Sequence, residues 1–329
     1  MKVLITTIPF GQVNSEPLDL LDENGIDYVI NPLNRKLQPG ELTELIEDFD
    51  ALIAGTEQIN RDVFTRAQNL KFISRVGIGL DSVDLNAAKE NGVGVSYTPD
   101  APAPAVAELT IGLMISLARS ITKSDNDFSK GTWERYFGYR LAEMNIGIIG
   151  GGRIGEKVIS HLDAFQPKNI FINDIDPSKL NFFGDNVVSC SKDYIYANSD
   201  LISVHVPLTL ETYNMITSEQ INMMQNHAYL INTSRGGIIN EEDLITALEE
   251  KTIAGAAIDT YEVEPYLGKL SKLENCINTA HMGSMTVDCR TKMEIEATKE
   301  VIRFFNKEPL LSKVPKTEYD AQILFGKNK

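Results

Sequence analysis

The sequence predicts an α/β chain made of two parallel-sheet halves. Three observations predict it. Short β-branched runs of strand length alternate with apolar residues at helical spacing over residues 1–98, and again from Asn145 onward. Runs such as Ile146-Gly147-Ile148-Ile149 are apolar throughout, as in a parallel strand covered by helices on both faces. Between the halves, residues 98–104 carry Pro99, Pro102 and Pro104, which remove donors and stiffen the chain into a semi-rigid crossing or hinge.

In the first half, residues 2–7 read as a strand, and Leu18, Leu20 and Leu21 open a helix that ends near Gly25. Tyr28-Val29-Ile30 is a second strand. Leu42, Leu45 and Ile46 have helical spacing before a third strand, Ala51-Leu52-Ile53-Ala54. Residues 70–74 form a fourth strand that runs into RVGIGLDSVD, and residues 93–96 form a fifth. The glycines of RVGIGLDSVD let backbone amides face an anion. The same residues also suit a tight strand-to-helix loop capped by Asp81 or Ser82. Residues 105–119 then form a helix. Val106, Leu109, Leu113, Met114 and Leu117 make its apolar stripe, and Ile111 and Ile115 widen it, so it is buried in a core or in a subunit interface.

Residues 122–143 are more polar and hold the single tryptophan, Trp133. After them, residues 144–162 read strand, glycine turn, helix. Gly150, Gly152 and Gly155 stand in G-x-G-x-x-G spacing, with Ile154, Val158, Ile159 and Leu162 on the helix behind. In a dinucleotide site the first glycine permits the turn, the second lets a pyrophosphate approach, and the third lets helix and strand pack closely. The helix N-terminus offers N–H groups to that pyrophosphate. The next strand, residues 169–173, ends in Asp174. An acid ~20 residues beyond the glycines hydrogen-bonds adenosine ribose hydroxyls and repels a 2′-phosphate, which favours NAD. As an alternative, Asp174 is a solvated turn residue before Asp176-Pro177.

Further strands follow, and they end in polar residues. Residues 200–205 end in His205, residues 229–233 run into Ser234 and Arg235, residues 253–259 end in Asp259 with Glu264 beyond, and residues 277–280 lead to His281. Ligands of open α/β sheets bind beyond the carboxyl ends of the strands, so these side chains converge there. The guanidinium of Arg235 offers a planar fork for a carboxylate, where the plainer use is a surface salt bridge. A carboxylate such as Glu264 beside His281 favours the imidazolium and fixes the ring, which suits proton transfer to a carbonyl oxygen. His281 alone reads equally well as a structural histidine. His205 is a cofactor-side or structural residue, and His161 and His227 are structural or exposed. Carboxylate binding, proton transfer and nicotinamide hydride transfer together describe the interconversion of a 2-hydroxy acid and a 2-oxo acid. No metal-ligand spacing appears, so no metal is expected. A last helix spans residues 293–305, and residues 308–329 form a polar tail.

Composition bounds the remaining classes. The 329 residues suffice for two cores, and a net charge of −15 argues against nucleic acid as partner. Cys190, Cys276 and Cys289 form no CxxC and read as small buried hydrophobes of a reducing compartment. No signal-peptide pattern and no apolar run of membrane-spanning length is present, so a soluble cytoplasmic protein is expected, with no membrane partner.

These motifs resemble the D-isomer-specific 2-hydroxyacid dehydrogenase family, especially its D-3-phosphoglycerate dehydrogenase-like members. RVGIGLDSVD, AELTIGLMISLAR, GIIGGGRIG, HVPLTLET, LINTSRGGIINEEDL, GAAIDTYEVEP and HMGS follow in the family's order over nearly the whole chain. The resemblance implies two Rossmann-like doubly wound domains, a flavodoxin-like catalytic domain and an NAD-binding domain. The first is discontinuous, residues 1–98 plus 287–329, and the second spans 99–286. It implies Arg235 as carboxylate ligand, His281 as acid/base and Glu264 as its partner. It also implies substrate contact through the backbone of Val76 and Gly77. Cofactor contacts are implied for Arg153, Ile154, Asp174, Val206, Pro207, Thr212, Thr233, Ser234, Asp259 and Gly283, beside Gly150, Gly152, Gly155 and His205. A homodimer through the 105–119 region is expected. One departure is that Asp100-Ala101-Pro102 replaces a Gly-Ala-Asn type sequence, which removes an amide from the substrate side. An NAD(H)-binding regulatory protein that keeps the fold is the alternative of a different class, and a dehydrogenase for a phosphorylated or phosphonate-like acid is a third reading.

Overall fold

The computed structural model describes residues 1–176, 184 and 186–326. Pro177, of the turn after Asp174, and residues 327–329 of the expected tail lie outside them. The chain divides into two compact units, Met1–Pro102 with Met285–Lys329, and Ala103–Ser284. The limits differ by a few residues from the 98/99 and 286/287 boundaries read from the sequence. Among the described residues no single helix is long and apolar enough to cross a membrane.

The first unit holds strands β1 (Lys2–Ile5), β2 (Asp27–Ile30), β3 (Ala51–Ala54), β4 (Phe72–Arg75) and β5 (Gly94–Tyr97). All pair in parallel in the order β2-β1-β3-β4-β5, the flavodoxin-like doubly wound order. The connecting helices are α1 (Glu16–Glu23), α2 (Glu41–Leu45), α3 (Arg61–Arg66) and α4 (Leu85–Glu90). At six residues each, α3 and α4 are too short to declare an apolar period, and side-chain caps define them. Asn60 accepts from the Val63 amide, and Asp84 Oδ1 accepts from the Ala87 amide at 2.7 Å. The cap after RVGIGLDSVD is therefore Asp84, not Asp81 or Ser82.

The second unit opens with α5 (Pro102–Ala118), which begins three residues earlier than the apolar stripe predicts. Pro102 and Pro104 lie in its first turn, where the missing N–H groups would have had no partner. The proline-rich stretch is thus partly helix rather than wholly a crossing. Helix α6 (Ile121–Ser129) follows, and then β6 (Asn145–Ile149), α7 (Arg153–Asp163), β7 (Asn169–Asn173) and β8 (Val187–Ser189). Next come α8 (Lys192–Asn198), β9 (Leu201–Val204), α9 (Ser218–Met223), β10 (Tyr229–Asn232), α10 (Glu241–Glu249), β11 (Gly255–Ile258) and β12 (Cys276–Asn278). The strands pair in parallel as β12-β11-β10-β9-β6-β7-β8, so β6 and β9 flank the point where strand order reverses, as in a Rossmann sheet. Neighbouring residues face opposite layers. Ile146, Ile148 and Ile231 pack in one hydrophobic layer, and Ile149, Ile202 and Leu230 in the other.

The chain then returns to the first unit as α11 (Val287–Phe305), longer at its N-terminus than expected because Thr286 caps it. Ser74 Oγ donates to the Ala297 carbonyl at 2.9 Å, and Phe304 stacks on Phe72. Residues 308–329 do not form a plain polar tail. Val314 is buried against β5, and α12 (Lys316–Gly326) follows. Gln322 donates to the carbonyls of Leu80 and Val83 and accepts from the Leu85 amide, and Tyr319 packs against the core of the unit, so this helix is docked on the RVGIGLDSVD loop and α4.

Candidate active site

Six parallel strands of the second unit bring the residues of interest to one edge of its sheet. Strand β6 leads into the glycine turn. Gly150 has φ +103°, and a Cβ on it would lie 2.4 Å from the His205 carbonyl. A Cβ on Gly155 would lie 1.9 Å from the Gly150 carbonyl, so only glycine lets α7 pack this closely on the turn. Gly152, at the N-cap of α7, is different. A Cβ there would meet no atom within 4 Å. The protein's own packing makes no demand for glycine at that point, whereas a pyrophosphate laid on the helix N-terminus does. Arg153 is exposed and Ile154 half-buried beside it. Asp174, at the end of β7, accepts from the Gly151 amide at 2.6 Å and from the Asp176 amide at 2.8 Å. It is built into the turn and is not simply a solvated loop residue.

Strand β9 ends in His205, which is buried with Nε2 2.9 Å from Ser203 Oγ. Its Nδ1 has no hydrogen-bond partner among the described residues. Burial pushes its pKa down to about 3, so the ring is neutral at ordinary pH. Val206 is half-buried and Pro207 exposed, while Thr212 Oγ1 donates to the Pro207 carbonyl and closes the loop after them. His161, at the end of α7, is half-buried, and His227 is exposed beside Asp200 at 2.7 Å.

Strand β10 ends in Thr233, Ser234 and Arg235. Thr233 Oγ1 meets Thr110 Oγ1 of α5 at 3.0 Å, and Ser234 Oγ donates to the Val204 carbonyl. Both hydroxyls face inward and shape the strand end. Arg235 is half-buried, and its Nη1 donates to the Ser234 carbonyl at 2.7 Å.

Strands β11 and β12 end in a single hydrogen-bonded assembly. The carboxylate of Asp259, 1 % exposed, accepts from Thr279 Oγ1 at 2.6 Å, from the Met282 amide at 2.9 Å and from the Gly283 amide at 3.0 Å. The Asp259 carbonyl accepts the His281 amide. These bonds hold His281 in the left-handed region, at φ 49°. Its Nδ1 then lies 2.9 Å from both carboxylate oxygens of Glu264. Since a carboxylate only accepts, Nδ1 carries the proton, and Nε2 is the ring nitrogen not engaged by Glu264. Asp259 thus serves the placement of His281, a use that sequence reasoning missed. Thr279 and Ser203 were missed too, although each lies two residues before a histidine and period-2 spacing could have pointed to them.

In the first unit, Val76 is buried and its amide donates to the Ala54 carbonyl, while the Gly77 amide donates to Thr98 Oγ1 at 2.7 Å. The N–H groups of both residues are thus engaged inside the protein. Asp100 is exposed at the end of the β5 loop. Cys276 and Cys289 are buried, with pKa values pushed up to about 12 and about 11, so they remain thiols. Cys190 is only half-buried, because β8 is an edge strand, and its thiol is also raised by burial.

A glycine turn shaped for a dinucleotide, at the reversal point of a Rossmann sheet with an arginine and a Glu–His pair on the same edge, defines an NAD-dependent oxidoreductase class. Comparison with known proteins specifies it. The family model described as D-isomer specific 2-hydroxyacid dehydrogenase, NAD binding domain, matches residues 111–283. The chain belongs to this family. It is 34% identical over 297 residues to a hydroxypyruvate reductase of Thermotoga maritima, covering 87% of this chain and 96% of that protein. It is 35% identical over 312 residues to a D-3-phosphoglycerate dehydrogenase of Methanocaldococcus jannaschii, covering 92% of this chain but 58% of the longer relative. Among solved structures, an NAD-dependent formate dehydrogenase of Staphylococcus aureus in complex with NAD superposes with a TM-score of 0.82 at 28% identity, covering 94% of this chain and 97% of that one.

Proposed function

We propose that the protein interconverts a D-2-hydroxy acid and its 2-oxo acid with NAD, and that Arg235, Glu264 and His281 carry the reaction. The observation that supports this most is their common origin on the ends of the neighbouring strands β10, β11 and β12, with Glu264 holding Nδ1 of His281. Bound NADH supplies the hydride that reduces the carbonyl carbon. Arg235 binds the substrate carboxylate through two parallel N–H···O bonds and fixes which face of the carbonyl is presented. His281 gives the proton on Nε2 to the carbonyl oxygen as negative charge develops there, and takes it back in the oxidative direction. Glu264 stabilises the imidazolium and keeps the ring from turning.

Gly150, Gly152 and Gly155 would hold the pyrophosphate of the dinucleotide. Asp174 would accept the ribose hydroxyls and disfavour a 2′-phosphate. His205, neutral and hydrogen-bonded to Ser203, would stand on the cofactor side at the end of β9. The substrate class is a short 2-oxo acid, in keeping with the hydroxypyruvate reductase that matches along nearly its whole length. The experiment is NADH oxidation with hydroxypyruvate, glyoxylate, pyruvate and 3-phosphohydroxypyruvate, repeated with NADPH. Turnover of at least one acid, with NADH preferred, is expected.

The protein assembles as a homodimer through the 105–119 region. Ile111 and Ile115 of α5 are only half-buried. Close by in sequence, Phe128, Trp133 and Phe137 stand exposed. Phe128 and Trp133 are in ring contact, with centroids 5.8 Å apart, and exposed aromatic residues of this kind mark an interaction face, for which a second copy of the chain is the occupant proposed.

A further inference from the structure

The turn that presents Glu264 is held from two sides. On one side, a Cβ on Gly236 would lie 2.0 Å from the Tyr261 carbonyl carbon and 2.3 Å from the Glu262 nitrogen. The loop that carries Arg235 is therefore packed backbone to backbone on the Tyr261–Glu262 peptide. On the other side, Glu241, the first residue of α10, accepts the N–H of that same peptide at Oε1, 2.7 Å from the Glu262 nitrogen. Three residues on, Glu264 accepts the Tyr261 amide at 3.3 Å and reaches His281. The Tyr261 ring anchors the turn from below, its hydroxyl donating to the Ile258 carbonyl and its face stacked on Tyr266. Glu241 is itself part-buried next to Glu242, Glu262 and Glu264, an arrangement that burial and like charge make costly for a carboxylate.

We propose that Glu241 is a positioning residue for the Glu264–His281 pair. With Gly236, it clamps the Tyr261–Glu262 peptide and so keeps the Arg235 loop and the Glu264 turn in one register. The proposal rests on the reading of His281 given above, and its test separates the two.

The variants are Glu241→Ala, which removes the acceptor, and Glu241→Gln, which keeps an oxygen for the Glu262 N–H and removes the charge. In the full-length protein, Glu241→Ala lowers kcat by about tenfold or more, the scale of loss for a misplaced catalytic group, with a smaller change in KM. Glu241→Gln recovers most of that loss. A second readout needs no turnover: the downfield Nδ1–H proton resonance of His281, assigned by its disappearance in His281→Gln. It broadens or vanishes in Glu241→Ala and persists in Glu241→Gln, while NADH affinity measured by fluorescence stays the same in both. Retention of the resonance in Glu241→Ala overturns the proposal whatever kcat does, and so does a Gln variant as impaired as the Ala variant. A wild-type protein that binds NADH and reduces no 2-oxo acid instead overturns the reading of His281, and the resonance still decides the clamp.

Discussion

Nδ1 of His281 is equidistant, at 2.9 Å, from the two carboxylate oxygens of Glu264. The ring is thus gripped symmetrically on one side, which selects the tautomer with hydrogen on Nδ1 when the histidine is neutral. Glu264→Gln retains size but presents an amide, which binds a neutral ring more weakly and gives no charge to an imidazolium. We expect kcat to fall on the order of 10- to 100-fold, reaching only the lower end of general acid–base contributions because His281 itself remains, with KM for the acid little changed. Steady-state kinetics at saturating NADH checks this.

Asp174 ties the glycine turn to the end of β7 through the Gly151 amide. Its replacement by Ser removes the negative charge and keeps a short polar side chain. The ratio of kcat/KM for NADH over NADPH is expected to drop by about tenfold or more, corresponding to ~1.4 kcal/mol of lost discrimination. An unchanged ratio would mean that another group reads the ribose.

His205 predicts a stability change with pH. Its folded pKa is pushed down to about 3 by burial, against 6.5 for the exposed side chain. The unfolded chain therefore binds the proton first. Stability is complete above the unfolded value and is lost as pH falls from there towards the folded value, at most ~1.4 kcal/mol per pH unit from this group. His205→Gln, which can still bond Ser203 but does not titrate, should flatten that part of the curve. Urea unfolding of both proteins at about pH 7.5 and about pH 5.5 gives the comparison. Buried Glu294 of the first unit has a raised pKa through burial and gives the opposite trend, so the difference between the two proteins is the informative quantity.

The exposed aromatic surface predicts a concentration-dependent assembly. Trp133→Ser with Phe137→Ser should shift sedimentation equilibrium towards monomer while the full-length protein keeps its far-ultraviolet circular dichroism. A wild-type protein that stays monomeric at high concentration would contradict the proposed homodimer.

Much of this site was legible in the sequence because parallel strands with both faces buried are continuous apolar runs, and their polar ends stand out. His205, Arg235, Asp259 and His281 could each be placed at a strand end in this way. What stayed hidden has physical reasons. Helices α3 and α4 are too short to display a period, and the hydrogen bonds by which Gln322 ties α12 to residues 80–85 follow no apolar spacing. Pro102 and Pro104 read as breakers because their fit to a helix's first turn depends on where the helix begins. The inward use of Asp259 and the Glu241–Glu262 contact depend on backbone turns that bring residues 20 or more apart together, and no local spacing announces them.

Arg235 and His281 are proposed to perform 2-oxo acid reduction with NADH held at the glycine turn. The most direct measurement is NADH oxidation with the four-acid panel in the wild-type protein and in Arg235→Leu, with NADH binding followed in parallel. Turnover is expected in the wild type and, in the variant, kcat/KM lower by about 100-fold or more at unchanged NADH affinity, as for loss of one partner of a charge pair. Tight NADH binding with no turnover of any acid, or an Arg235→Leu variant as active as the wild type, would contradict this assignment.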